Sequence, residues 1–304
     1  MAQITVIGSI SIDFVVETKK LPMMGETVEG EVFRTSFGGK GANQAVASAR
    51  LGAETTMLGA VGKDPFGSEL LKNLEENGVD ADNVERVTHS SGSAFITLVD
   101  GDNSIIYVPG ANGAYMPEML DRVIEEEKVF QNSDLVLVQN ETPVDTVEHL
   151  IRRCNEIGIP LLLNPAPARE LHSSLIDQVT FLTPNETECS VLFPGEDIET
   201  VLAKYPNKLI VTLGSSGAVY HDGQGIQRIP SIKVEQVVDT TGAGDTFNGA
   251  FAFAYASGLA LHDSIRFGNI AAGLSIQKAG AQRGAPILEQ MKEHEDFEKE
   301  WNFK

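Results

Sequence analysis

Cysteine is nearly absent from this chain: Cys154 and Cys189 are the only two among 304 residues, and no CxxC or Cys/His ligand spacing occurs. Both lie in amphipathic stretches and are expected to be buried thiols, not disulfide partners or nucleophiles. The six histidines are scattered with no i, i+4 pair, so a histidine-based metal site has no support. Basic charge is also scarce, with 23 Lys and Arg against 43 Asp and Glu, a net charge of −20. A nucleic-acid or anionic-membrane surface needs a basic patch, and neither partner is expected. No apolar run approaches the ~18 residues of a membrane span. Residues Met1 to Ile10 begin as a strand without a basic n-region, so the expected address is cytoplasmic. With 42% hydrophobic and 22% charged residues, the composition is that of a chain with a real core.

Short apolar runs alternate with helical patterns through most of the sequence. Strands are expected at Ile4 to Ile7, Thr55 to Val61, Leu135 to Val138, Leu161 to Leu163, Val179 to Leu182, Leu209 to Leu213 and Ala218 to His221. Helices are expected over 41–51, Pro65 to Glu76 and Val144 to Ile157. The alternation argues for a three-layer α/β/α sandwich around a mainly parallel sheet. Ligands of such sheets bind beyond the strands' C-terminal ends, so Gly8, Asn140, Asn164, Asn185 and Gly214 should share one rim. Two segments, about 12–37 and 93–108, break the pattern. The first holds the strand-like Phe14-Val15-Val16 and Val28 to Phe33. The second alternates from Ala94 to Val99, turns at Asp100-Gly101-Asp102-Asn103 and returns as Ser104 to Val108. Together they could form a small antiparallel sheet outside the main one. The acidic tail from Glu289 to Glu300 reads as a solvated helix face.

The most informative run is Asp-Thr-Thr-Gly-Ala-Gly-Asp at 239–245, followed by an apolar helical stretch through Phe247, Phe251 and Tyr255. Small residues let backbone N–H groups approach a ligand, and a helix N-terminus attracts anions. Gly242, Ala243 and Gly244 thus offer an anion hole, and Asp245 follows as a proton acceptor. Phosphoryl transfer to an alcohol needs both. A carboxylate is a weak base, which the loose phosphoryl transition state tolerates. Other nucleotide folds fit poorly. Lys40 in Gly38-Gly39-Lys40-Gly41 is not a Walker A lysine, because Gly41 follows where Ser or Thr is required. No GxGxxG follows the first strand, where Gly8-Ser9-Ile10 stands.

The 239–251 run resembles the C-terminal signature of the ribokinase (PfkB) family of carbohydrate kinases. Four further matches stand in family order: Gly38-Gly39-Lys40-Gly41-Ala42-Asn43-Gln44, Asn164-Pro165-Ala166-Pro167-Ala168-Arg169, Thr183-Pro184-Asn185-Glu186-Thr187-Glu188 and Gly280-Ala281-Gln282. The resemblance spans essentially all 304 residues and implies one catalytic domain, 1–304, in which the two inserted segments form a lid over the sugar. It implies an ATP-dependent sugar kinase acting on the 5-hydroxyl of D-ribose, with Asp245 as base. Kinases of deoxyribose, fructose or adenosine, and a non-catalytic binding relative, are the alternatives.

By this resemblance Asp13, Gly39, Lys40, Asn43, Glu141 and Asp245 meet the sugar. Ser11 stands where bacterial ribokinases usually carry Asn. Asn185 and Glu188 are implied near Mg²⁺ and the phosphates, although the pair also fits a helix-capping box. Thr212, Gly214, Ser215, Gly217, Gly244 and Asn269 match the nucleotide site. Asp239, Thr241, Ser275, Gly280 and Gly284 match a K⁺ loop, in which the family commonly has Ser at the position of Gly284. Lid-to-lid homodimerisation is also implied, and the apolar lid residues Phe14, Val28, Val32, Phe33, Phe95, Ile96 and Ile106 suit it.

Overall fold

The computed structural model describes residues 1–99, 102–126 and 129–303. The chain begins with β1 (Gln3–Ile7), β2 (Ser11–Thr18), β3 (Gly30–Gly38), α1 (Lys40–Arg50), β4 (Glu54–Gly62), α2 (Pro65–Glu76), β5 (Val79–Asp80) and β6 (Val84–Val87). It continues with β7 (Gly92–Val99), β8 (Asp102–Val108), α3 (Pro117–Glu126), β9 (Leu135–Gln139), α4 (Val144–Ile157), β10 (Leu161–Asn164) and α5 (Ser173–Ile176). The remainder holds β11 (Phe181–Leu182), α6 (Glu186–Leu192), α7 (Ile198–Lys204), β12 (Ile210–Thr212), β13 (Ala218–His221), β14 (Ile226–Ile229), α8 (Ala243–Ala256), α9 (Leu261–Ser275), α10 (Ala281–Gly284) and α11 (Leu288–Lys292).

Among the described residues the main sheet runs β11-β10-β9-β1-β4-β5, with β6 also beside β4. All its pairings are parallel. Parallel bridges Leu182↔Leu209 and Asn185↔Thr212 extend it towards β12, after which β13 and β14 add antiparallel. The strands read as continuous apolar runs because both faces are buried. Leu135 and Leu137 of β9 enter one core with Ala45, Phe251 and Phe267 of α1, α8 and α9. Val136 and Val138 enter the other, with Leu150, Cys189 and Val201 of α4, α6 and α7. Both cysteines are free and buried, as expected.

Local chemistry sets several boundaries. Asp64 caps α2 by accepting from Gly67 N–H, with Pro65 at the first helical position. Gly158, in the left-handed region at φ 74°, ends α4. Several expectations need correction. The strand expected from Val179 is only Phe181–Leu182, because Thr180 instead exchanges hydrogen bonds with Leu161 through its N–H and hydroxyl. The strand expected at 28–33 is Gly30–Gly38, paired with β2 along its length. The acidic tail is helical only over Leu288–Lys292, and beyond it Phe297, Trp301 and Phe303 pack against Phe267.

The two inserted segments form a separate four-stranded sheet, β3-β2-β7-β8. Its outer pairs are antiparallel and its central pair, β2 with β7, is parallel. Asp102 and Asn103, expected in the turn, already belong to β8, opposite Val99 and Leu98; the turn positions Asp100 and Gly101 lie outside the described residues. Alternation divides the sheet into two faces. Asp13, Ala94 and Tyr107 are register partners on one face. Phe14, Phe95 and Ile106 are partners on the other, joined by Phe33.

Candidate active site

Asp245 lies in the first turn of α8 and is buried. Helix α8 starts after Gly242, whose φ of 79° turns the chain sharply into the helix. Of the expected anion-hole donors, Ala243 N–H closes a turn onto Thr240 O at 3.2 Å. Gly242 and Gly244 N–H have no protein acceptor among the described residues. Of the three expected donors, the two glycine N–H groups are therefore the ones left open to an anion. The Asp245 carboxylate accepts from Asn43 Nδ2 and Gln44 Nε2, each at 2.9 Å. Helix α1 delivers both amides, and it packs directly on α8: a Cβ on Gly249 would meet Gln44 O at 2.6 Å.

Lys40 begins α1. Asp245 foremost raises its proton affinity; burial opposes this, and Glu141 and Glu188 add to it. Lys40 is thus the positive centre among three carboxylates, in a chain whose net charge is −20. The glycine run allows the close approach. With φ 89°, Gly39 lies so near the segment leading from β1 into β2 that a Cβ would come 2.7 Å from Ser9 O. Glu141 follows β9 and accepts from Ser9 Oγ at 2.5 Å and Lys40 N at 3.0 Å, tying three loops together.

Asp13 faces this cluster from the lid. Burial pushes its carboxyl up to about 6, with Ser11 opposing and Glu141 adding. The Ser11 contact is long, Oγ to Asp13 Oδ1 at 3.4 Å. Tyr107 shares the Asp13 face. Burial first, then Glu141, raises its phenol well above the usual range, and its hydroxyl accepts from Asn112 Nδ2 at 3.1 Å.

At the opposite end Asn185 and Glu188 form the capping box: Glu188 N–H donates to Asn185 Oδ1, and Asn185 N–H to Glu188 Oε2, both at 2.8 Å. Burial raises the Glu188 carboxyl, with the Asn185 N–H and Lys40 opposing and Asp245 adding. Thr212 ends β12, and Gly214–Ser216 makes a short turn closed by Gly217 N–H on Gly214 O. Ser215 O accepts from Ser231 Oγ at 2.5 Å. Asn269 is buried in α9 and spends its amide hydrogens on Ile229 O and Pro230 O, at 3.1 and 3.0 Å. It borders a cavity of 210 Å³ also lined by Ser231, His262 and Arg266. Asp239 ties two loops: it accepts from Thr241 N and Gly280 N, each at 2.9 Å. Gly284 packs on Ser275, where a Cβ would meet Ser275 O at 2.5 Å.

The fold therefore brings Asp13, Lys40, Asn43, Glu141 and Asp245 to one rim, with Asn185 and Glu188 beside them. Asn269 lies farther round, among the backbone groups that follow β14. Sequence reasoning passed over Ser9, Gln44, Tyr107, Gln139 and Gln282. Gln44 and Gln282 stand inside quoted motifs, so the signal was present without a role attached to it. Gln139 ends an apolar strand, where a polar residue on the buried rim was the available clue.

A model of the pfkB family carbohydrate kinases matches residues 1–288. The chain belongs to this family. The ribokinase of Lactococcus lactis is 52% identical over 96% of both chains, and that of Bacillus subtilis is 50% identical over 96% of this chain and 99% of its own. The structure of Arabidopsis thaliana ribokinase complexed with ribose and ATP superposes with a TM-score of 0.87 at 34% identity, covering 96% of this chain and 98% of the other. As a pfkB-family carbohydrate kinase, the chain is a phosphotransferase with an alcohol acceptor, and the small sheet above the rim is its lid.

Proposed function

We propose that this enzyme transfers the γ-phosphoryl group of ATP to the 5-hydroxyl of D-ribose, giving D-ribose 5-phosphate and ADP. The observation that carries the reading is Asp245: a buried carboxylate, held through both oxygens, beside two free glycine N–H groups and the Lys40 ammonium. Identity of 52% and 50% to two ribokinases supports ribose as the sugar. Residues 1–304 act as one catalytic domain with the lid inserted.

Asp13, with Ser11, Lys40, Asn43 and Glu141, would hold the sugar hydroxyls, and the backbone at Gly39 would approach the ring. Asp245 accepts the 5-hydroxyl proton as that oxygen bonds to the γ-phosphorus and the bond to the β-phosphate oxygen breaks. Gly242 and Gly244 N–H, with Lys40, stabilise the charge on the transferring group. Thr212, Gly214, Ser215, Gly217 and Asn269 would border the nucleotide.

Mg²⁺ would bind near Asn185 and Glu188 and neutralise phosphate charge. The donors fit an ion that keeps most of its water: Glu188 Oε2 is already engaged, and Asp245 and Glu188 together offer a field for a divalent cation. K⁺ would be held by oxygens of Asp239, Thr241, Ser275, Gly280 and Gly284. Oxygens are the donors this cation requires, and Ser275 O and Gly280 O each accept one hydrogen bond, leaving a lone pair free. No helix among the described residues is long and apolar enough to cross a membrane, and two buried free thiols suit a reducing, cytoplasmic setting.

A coupled ADP-release assay over ribose, 2-deoxyribose, fructose and adenosine tests the reading. D-Ribose should give the highest kcat/KM; a tenfold preference for any of the others would overturn it.

A further inference from the structure

Both amides that hold Asp245 are themselves held. Gln44 Nε2 donates to Asp245 Oδ1 at 2.9 Å and to Asn164 Oδ1 at 3.0 Å, so both its hydrogens are used. Its oxygen accepts from Gln139 Nε2 at 2.7 Å. On the other side, Gln282 Nε2 donates to Asn43 Oδ1 at 3.1 Å, and Gln282 Oε1 accepts from Asn73 Nδ2 at 2.7 Å. Gln44, Gln139, Asn43, Asn164 and Gln282 are all buried.

The direction of each bond is dictated by groups that can only accept. Asn164 Nδ2 donates to the Thr183 carbonyl at 3.0 Å, which turns Asn164 Oδ1 towards Gln44. The Asp245 carboxylate accepts only, so both neighbouring amides must face it with nitrogen. A flip of either amide would set its oxygen against the carboxylate. Gln139 and Gln282 oppose those flips, because each offers an N–H to the amide oxygen. The carboxylate plane is thereby fixed from both sides, and each oxygen keeps a lone pair for an incoming hydroxyl.

We propose that Gln44 and Gln282 are positioning residues of the phosphoryl transfer: Gln44 aims Asp245 directly, and Gln282, on the 280–284 segment, aims it through Asn43. The proposal rests on Asp245 being the base. A base misplaced by a fraction of an ångström loses rate without losing affinity, so the relay belongs to kcat.

The test uses full-length enzyme carrying Gln44→Met, Gln282→Met, Asn43→Ala, the Asn43→Ala/Gln282→Met double variant and Asp245→Asn. The readouts are steady-state kinetics and thermal unfolding. Gln44→Met is expected to lower kcat about tenfold with KM for ATP within about twofold. Gln282→Met should lower kcat severalfold in the native background and not at all once Asn43 is Ala, because it acts through that amide. A purely structural role would instead lower the unfolding midpoint and give additive losses. Should Gln44→Met fail to fold, Gln139→Leu takes its place, with a severalfold loss of kcat expected. If Asp245→Asn is inactive while the Gln44 and Gln282 variants keep native kcat, the relay is overturned and the base assignment stands. If Asp245→Asn retains native kcat, the base assignment falls and the relay with it.

Discussion

Gly242 and Ala281 pack with no space between them: a Cβ on Gly242 would come 2.5 Å from the Ala281 methyl. The turn that would present the proposed anion hole therefore rests on the segment that carries Gln282. Gly242 also has φ +79°, a region that costs an ordinary residue about 1–2 kcal/mol. Gly242→Ala thus combines strain with a clash against a buried backbone. Its kcat should fall on the order of 10²-fold, the scale of losing an oxyanion-hole donor. Steady-state kinetics check this, and near-native kcat would show that the glycine turn does not position the donors.

Asp13 gives a pH prediction. Its carboxyl is raised to about 6 in the ligand-free site, chiefly by burial. In the proposed role sugar hydroxyls would donate to the ionised form, so binding would be favoured above that value and opposed below it. As pH falls through 6, kcat/KM for the sugar should decline, approaching about tenfold per unit at the lower end. Asp13→Asn should raise KM and abolish that limb. A profile flat from pH 5 to 7 in the native enzyme would remove Asp13 from sugar binding.

Potassium should activate more than sodium at equal ionic strength. Asp239 joins the 239–241 loop to Gly280, and Gly242 continues that loop onto Ala281. A cation held by these oxygens would stiffen both segments on which the anion hole depends. Equal rates in potassium, sodium and a bulky organic cation would count against the site.

The sheet and most helix boundaries were legible because burial on both faces leaves continuous apolar strands, and Pro65, Gly158 and the Asn185–Glu188 box mark helix ends by local chemistry. The place of Asp245 in the first turn of a helix was legible as well, since a helix-start glycine run followed by a carboxylate is itself a local pattern. Its two amide partners were not, because 202 and 201 residues separate Asn43 and Gln44 from it. The tail was misread for a related reason. Charge suggested a solvated helix, whereas Phe297, Trp301 and Phe303 are drawn onto Phe267 by packing that no local window contains.

The last prediction concerns the lid. Its Asp13 face turns towards Glu141 and the proposed sugar site, while the opposite face carries Phe33 at 65% exposure, Phe95 at 49% and Ile106 at 69%. Phe14 lies between Phe33 and Phe95 and reaches Phe66 of α2, so the enzyme's own α2 covers only part of this stripe. The remaining rings form a contiguous apolar patch of the kind that marks an interface. Of the lid residues expected to meet a partner, Val32 and Ile96 fall on the Asp13 face by alternation and Val28 precedes β3, which narrows the surface to Phe14, Phe33, Phe95 and Ile106. A second copy of the lid would bury these side chains about a two-fold axis. Sedimentation at micromolar concentration should show a dimer of the 32.7 kDa chain. Phe33→Asp should shift it towards monomer, because the new carboxylate would be desolvated without a partner. A native chain that sediments as a monomer with and without sugar and nucleotide would refute the lid interface.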